Sequence, residues 1–329
     1  MGEKWKMQTH NDILKRIIID CLGVKSNEHL LVLTDDAKED LAQKLYRVAH
    51  DIGIPSMLLK IPKMKKSGEE PPKAAVEAMK YVDVAICITE HSLTHTNARK
   101  QAVANGVRIA TMPGITEEMF LKGAITADYI EVEKITNKVT KVLSKAKNVV
   151  IEKEGFKLEL NIEGRQAISS TGRYLEKGQS GNLPSGEAYI APVEGTAHGK
   201  ILVDGSLAGV GKLTSPVLLT IERGLLISAE GDKSDEWLKI LGISKEARNV
   251  AEFGIGTNPR AMLTGNILED EKILGTIHIA FGSNDTFGGN ISAGVHLDAV
   301  VLSPTVYLDG KMIMHKGELI EELMGGESE

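Results

Sequence analysis

The feature that most constrains the fold is a change of periodicity near Lys145. Up to that point short apolar runs alternate with helical patterns. LLVLTD (30–35), SMLLKIP (56–62), VAICITE (84–90) and RIATMPG (108–114) read as strands. HNDILKRIIIDCLG, KEDLAQKLYRVAHDIG and PPKAAVEAMKYV carry apolar residues at helical spacing, a further helix is expected near 95–106, and TEEMFLKGA opens another. Such alternation predicts a mostly parallel sheet, a Rossmann-like α/β domain over 1–145. From 148 the pattern becomes strand, turn, strand: NVVIEKEGFKLELNIEGR, AYIAPV, KILVDG, PVLLTIERGLLISAEG, with one helix at 232–243. A β-rich, barrel-like domain is expected over 146–329. The closing MGGESE reads as an unpacked tail.

Composition narrows the function classes. The net charge of −6 and 4% aromatic content leave no basic or stacking surface for nucleic acid. No run approaches a membrane span, and the N-terminal stretch has no signal-peptide core. Cys21 and Cys87 are far apart and form no CxxC motif, which fits free thiols in a reducing compartment. A cytosolic protein with no membrane partner is expected.

The second half places ionisable residues in apolar runs. His278 lies in GTIHIAFG, and His296 and Asp298 lie in GVHLDAV. Residues two apart on a strand share a face, so His296 and Asp298 can converge on one point, with Ile277 and Ile279 on the face opposite His278. Two imidazoles and a carboxylate suit a divalent transition metal. Glu252 in NVAEFGIGTNP and Glu187 in NLPSGEAYIAP are carboxylates in apolar surroundings and need a cation or a partner. Glu187, Glu252, His278, His296 and Asp298 together could hold two metal ions about 3.5–4 Å apart with one carboxylate bridging. Asn258, Asn290 and Ser292 are candidate donors to orient the ligands. GSLAGVGKLT (205–214) imitates a phosphate-binding loop but has the wrong glycine spacing and no following helix, so it reads as a turn. His91 and His95 have the spacing of a helical metal pair but no third ligand; His198 and His315 read as surface residues.

NLPSGEAYIAP, AEFGIGTNP, GTIHIAFG and NISAGVHLD, in that order, resemble the M29 family of metallo-aminopeptidases, over most of residues 180–300. The resemblance implies a cytosolic homodimer with a cocatalytic pair of Zn, Co or Mn ions on Glu187, Glu252, His278, His296 and Asp298. It implies a peptide substrate cleaved by a metal-activated bridging water, with Glu187 or Glu252 doubling as general base. The chain departs from that family at Asp285, where the family places a catalytic tyrosine; Tyr189 and Tyr307 are the candidate stand-ins. This half also resembles the dihydroxypyridine ring-cleaving dioxygenases, for which His278, His296 and Asp298 would be the triad holding one Fe(II), with a small-molecule substrate. A third expectation is a metal-binding relative without peptidase activity.

Overall fold

The computed structural model describes residues 10–320; the MGGESE tail lies outside them. The chain forms two compact units, one comprising residues up to Ile130 together with Gly172–Ser185, the other Glu131–Thr171 with Gly186 onward. The segment after Gly172, expected to be part of the β-rich half, is thus joined to the first unit.

The first unit is built on a five-stranded sheet in the order Ser56–Ile61, Leu30–Asp35, Val84–Ile88, Arg108–Thr111, Ser180–Asn182. All four pairings are parallel, as the alternation of strands and helices predicts. Leu31, Leu33, Ala85, Cys87 and Ile109 share a core with Ala75 and Met79 of the helix Lys73–Lys80 and with Ala98 and Ala102 of the helix Asn97–Ala104. The last strand was not legible as such, because SGN has no apolar pattern. It is fixed by backbone bonds from Ile109 N to Gln179 O (3.0 Å) and Leu183 N to Thr111 O (2.9 Å), and by the Tyr174 hydroxyl donating to Asn182 O at 2.7 Å. The strand-end Asp35 is fully buried, accepting from Ala37 N and Glu90 N. His91 and His95 precede the helix, which starts at Asn97, so they lack helical spacing.

The second unit holds two antiparallel sheets. One has eight strands in the order Leu225–Gly231, Val217–Glu222, His198–Val203, Phe156–Asn161, Asn148–Lys153, Thr305–Leu308, Lys311–His315, Glu318–Leu319. The other has seven: Gly211–Lys212, Ser206–Leu207, His296–Leu302, Thr276–Gly282, Val250–Gly256, Glu187–Ile190, Ile168–Ser170. Both orders are open, so the expected barrel closure is absent among the described residues. The mixed α/β class stands; the barrel-like detail does not. GSLAGVGKLT contributes the short hairpin of Ser206–Leu207 with Gly211–Lys212, a turn as expected.

The two sheets share one core. Ile151, Leu158, Leu219 and Ile221 from the first meet Phe253, Ile255, Ile277, Ile279, Phe281 and Val301 from the second. Val139 and Leu143 of the helix Tyr129–Leu143 join them. Alternation does the sorting: in TIHIAFG the odd-numbered Ile277, Ile279 and Phe281 enter the core, and the even-numbered residues take the opposite face. Among the described residues no helix is long and apolar enough to cross a membrane. Cys21 and Cys87 are buried and unpaired. Burial pushes the Cys87 thiol up to about 12, so it stays protonated and inert.

Phe281 is fully buried and meets Trp237 edge-on, with ring centroids 5.6 Å apart. Phe281→Ala should cost about 3–5 kcal/mol in urea unfolding. Its side chain points away from the site face, so metal bound per folded molecule should be unchanged.

Candidate metal centre

Four neighbouring strands of the seven-stranded sheet deliver the predicted residues. Glu187 opens one, Glu252 lies in Val250–Gly256, His278 in Thr276–Gly282, and His296 and Asp298 in His296–Leu302. The register pairs Glu187 with Gly256, Gly254 with His278, Glu252 with Ala280, and Ala280 with Asp298. Directly paired residues share a face, so all five predicted side chains project to one side. Ala188, Ile190, Phe253, Ile255, Ala299 and Val301 fill the core on the other.

Glu252 reaches that face through a β-bulge. Val250 pairs with Phe281, and the register then shifts so that Glu252 meets Ala280. In a regular ladder Val250 and Glu252 would point the same way, into the core. The extra residue, Ala251, turns Glu252 to the site while Val250 stays in the core.

A glycine seats His278. A Cβ on Gly254 would meet the imidazole Nε2 at 2.0 Å and Cε1 at 2.1 Å, so the ring lies directly against the backbone of the neighbouring strand. His278 Nε2 is 3.0 Å from Glu252 Oε1 and 3.5 Å from Glu187 Oε2. His296 Nε2 is 3.5 Å from Glu252 Oε2 and 3.7 Å from Asp298 Oδ1. Both imidazoles therefore present Nε2 to the one carboxylate of Glu252. His296 Nδ1 lies 2.8 Å from the carbonyl of Ser283. A carbonyl can only accept, so Nδ1 carries the proton and Nε2 is left to face the acids, the arrangement of a metal-ligating histidine. The orienting partner is thus a backbone carbonyl. Of the side chains expected to orient ligands, Ser292 and Asn290 are exposed, and the buried Asn258 shapes a turn by accepting from Arg260 N at 2.9 Å.

The structure adds two residues. Glu271 and Lys272 follow the short helix Ile267–Asp270 in LEDEKIL. A charge run of this kind normally marks a solvated surface. Here Glu269, Asp270 and Lys272 are fully buried. Asp270 accepts from Thr264 N and Gly265 N, while Lys272 Nζ donates to Glu187 Oε1 at 2.6 Å and to Glu271 Oε1. Backbone contact makes this possible: Asn258 N donates to Lys272 O, and a Cβ on Gly256 would meet Ile273 O at 2.1 Å.

The donors fall into two sets: Glu187, Glu271 and His278, and Glu252, His296 and Asp298, each with ligand atoms within 4.8 Å of one another. Four carboxylates, Glu187, Glu252, Glu271 and Asp298, face one fixed cation, Lys272. Burial acts to lower the pKa of His278, but the hydrogen bond to Glu252 and the charges of Glu187, Glu252 and Glu271 outweigh it and hold it up at about 9. Burial is likewise outweighed at His296, where Asp298 and Glu252 raise it to about 10. Burial, against the opposing charge of Lys272, pushes Glu271 up to about 8. The orphaned Nδ1 of buried His278 and the unbonded Oε2 of Glu187 belong to a donor set whose chemistry fits a transition metal.

The loop between the His278 and His296 strands forms the rim. Asn284 is fully buried, donates to Glu194 Oε1 at 3.0 Å and accepts from Ile291 N at 2.8 Å. Glu194 also accepts from Asn290 N at 2.9 Å and pairs with Arg165. The braced loop sets Phe287 edge-on to Tyr189 and to His296, centroids 5.5 and 5.8 Å away. Asp285 is exposed on the loop, and Tyr307 lies in the other sheet.

Two outcomes follow for the centre. Gly254→Ala should displace the His278 ring and weaken Co(II) binding by about 10–100-fold, the range for disturbing a ligating histidine's orientation; unchanged affinity in calorimetry would contradict the seat. A metal must also displace protons from His278 and His296, whose pKa values of about 9 and 10 leave them protonated at neutral pH. Affinity should therefore rise with pH between about 6 and 8, roughly tenfold per unit for each proton displaced. A flat profile would refute the competition.

The NicX family profile, described as 2,5-dihydroxypyridine 5,6-dioxygenase, matches residues 12–321. A 2,5-dihydroxypyridine 5,6-dioxygenase of Pseudomonas putida is 25% identical over 174 residues, covering 47% of this chain and 48% of that protein. The matched region thus spans about half the length of this curated relative. The solved 2,5-dihydroxypyridine dioxygenase from Pseudomonas putida KT2440 superposes with a TM-score of 0.81 at 17% identity, over 95% of this chain and 98% of that one. Wild-type AmpT from Thermus thermophilus superposes at 0.70 and 18% identity, over 94% and 98%. The likeness to the aminopeptidase T group holds at the level of fold. The expected peptidase, with its hydrolase chemistry and proteolytic role, is overturned by the family match and the curated relative. The same ligand residues served both expectations, which is why the motifs misdirected the reaction. The chain belongs to the NicX family of 2,5-dihydroxypyridine 5,6-dioxygenases.

Proposed function

We propose that the protein is a mononuclear non-haem iron dioxygenase that opens a small hydroxylated nitrogen heterocycle of the 2,5-dihydroxypyridine kind. The observation that carries this reading is the convergence of His278 and His296 Nε2 on Glu252, with Asp298 beside His296, in a chain of this family. His278, His296 and Asp298 would hold the metal as two imidazoles and one carboxylate. Fe(II) in such a site supplies the binding and activation of dioxygen.

The remaining chemistry falls to the chain's own groups. The Ser283 carbonyl keeps the proton on His296 Nδ1 and so fixes the ring's orientation. Glu252, facing both imidazoles, is the carboxylate available to take a proton from a ring hydroxyl. Phe287 and Tyr189 offer an apolar edge on the His296 side, suited to a flat aromatic ring. A planar phenolic ring uses both the apolar rim and the carboxylate.

The test is oxygen uptake by Fe(II)-loaded protein with 2,5-dihydroxypyridine. Oxygen consumption should match ring loss, and aminoacyl-p-nitroanilides should remain uncleaved. His296→Ala and Asp298→Ala should each lower the rate by at least about 100-fold, since even loss of an outer partner of a metal ligand costs 10–100-fold. Amide hydrolysis without oxygen uptake would sink the proposal.

A further inference from the structure

Lys272 is an unusual component for a metal centre. It is fully buried, and its ammonium lies between two carboxylates that are themselves among the candidate ligands. Glu187, Glu271 and His278 bring their ligand atoms within 4.8 Å of one another, the spacing of a cation cage. Lys272 Nζ is 2.6 Å from Glu187 Oε1 and contacts Glu271 Oε1, so it engages two of the three members of that cage. A divalent ion there would have to bind the remaining oxygens of the same two carboxylates at about 2.0–2.6 Å. That sets it close beside a fixed ammonium, whose charge repels it and already neutralises those carboxylates.

We propose that Lys272 is the residue that restricts this centre to one metal ion, its tethered ammonium holding Glu187 and Glu271, the two carboxylates that a second ion would otherwise need. The inference deepens the mononuclear reading above and rests on it. The lysine is held in place by its own backbone, through the bond from Asn258 N to Lys272 O at 2.8 Å. It is a positioning residue: it touches ligands of the centre and sets how many ions they can hold.

The test is metal stoichiometry on the full-length protein, with Mn(II) or Co(II) alone as the probe. After equilibration with excess metal and desalting, elemental analysis should give one equivalent for the wild type and for Lys272→Arg, and two for Lys272→Met. In the doubly loaded Lys272→Met protein, the Mn(II) electron paramagnetic resonance spectrum should show coupling between the ions, which a merely structural role for the lysine would not produce. Glu187→Gln supplies a measurement independent of whether Lys272→Met folds. With Glu187 serving as the lysine's partner, that variant should keep its single metal ion. Two equivalents in the wild type, one equivalent in folded Lys272→Met, or loss of the metal from Glu187→Gln would each overturn the proposal. Failure of oxygen uptake with the expected stoichiometries would remove the dioxygenase reading alone. Oxygen uptake with unchanged stoichiometry in Lys272→Met would remove this one alone.

Discussion

The second unit depends on how it accommodates concentrated negative charge. Glu187, Glu252, Glu271 and Asp298 sit within one small region of a sheet face, each at most 12% exposed at the side chain. Carboxylates withdrawn from water are strongly unfavourable unless cations meet them. The chain answers with one buried lysine and two imidazoles. The geometry of the centre is set by that balance: Glu252 lies against both histidines, Glu187 reaches the lysine, and Glu271 feels the charges of Lys272, Glu187, Asp298 and His278. The sheet's other face does the opposite work, packing Ile277, Ile279 and Phe281 into an apolar core that holds the strands in register.

Much of this was legible from residues alone. The alternation in TIHIAF and the two-residue step from His296 to Asp298 identify a shared face from spacing alone. Acids flanked by apolar residues, as at Glu187 and Glu252, announce a partner. Glu271 and Lys272 were not legible, because LEDEK has the composition of a solvated turn. Only the close passage of that segment beside Gly256 and Asn258 buries it, and no local pattern encodes a contact between distant segments. The strand Ser180–Asn182 escaped for a related reason: its pairing with Arg108–Thr111 is made by backbone and by Tyr174, not by an apolar repeat.

The reaction was less legible than the metal. A histidine pair with carboxylates serves hydrolysis and oxygen chemistry alike, and both kinds of relative share this fold. What separates the readings within the site is the surroundings of the ligands. A buried ammonium beside Glu187 and an aromatic edge beside His296 are features of arrangement, visible only when strands and loops are assembled. Asp285, which marks the departure from the peptidase pattern in the sequence, proves to be an exposed loop residue.

The bulge at Ala251 has a consequence for how such a centre can change over time. Upstream of it the strand's side chains are in one parity, downstream in the other, and Val250 and Glu252 each need the parity they have. Substitution can alter what Glu252 is but not where it points. A change in chain length by one residue would do the reverse, sending an intact glutamate into the hydrocarbon interior and emptying its place between the imidazoles. The centre is therefore protected by spacing as much as by residue identity, and a deletion here would silence it while leaving every ligand in the sequence.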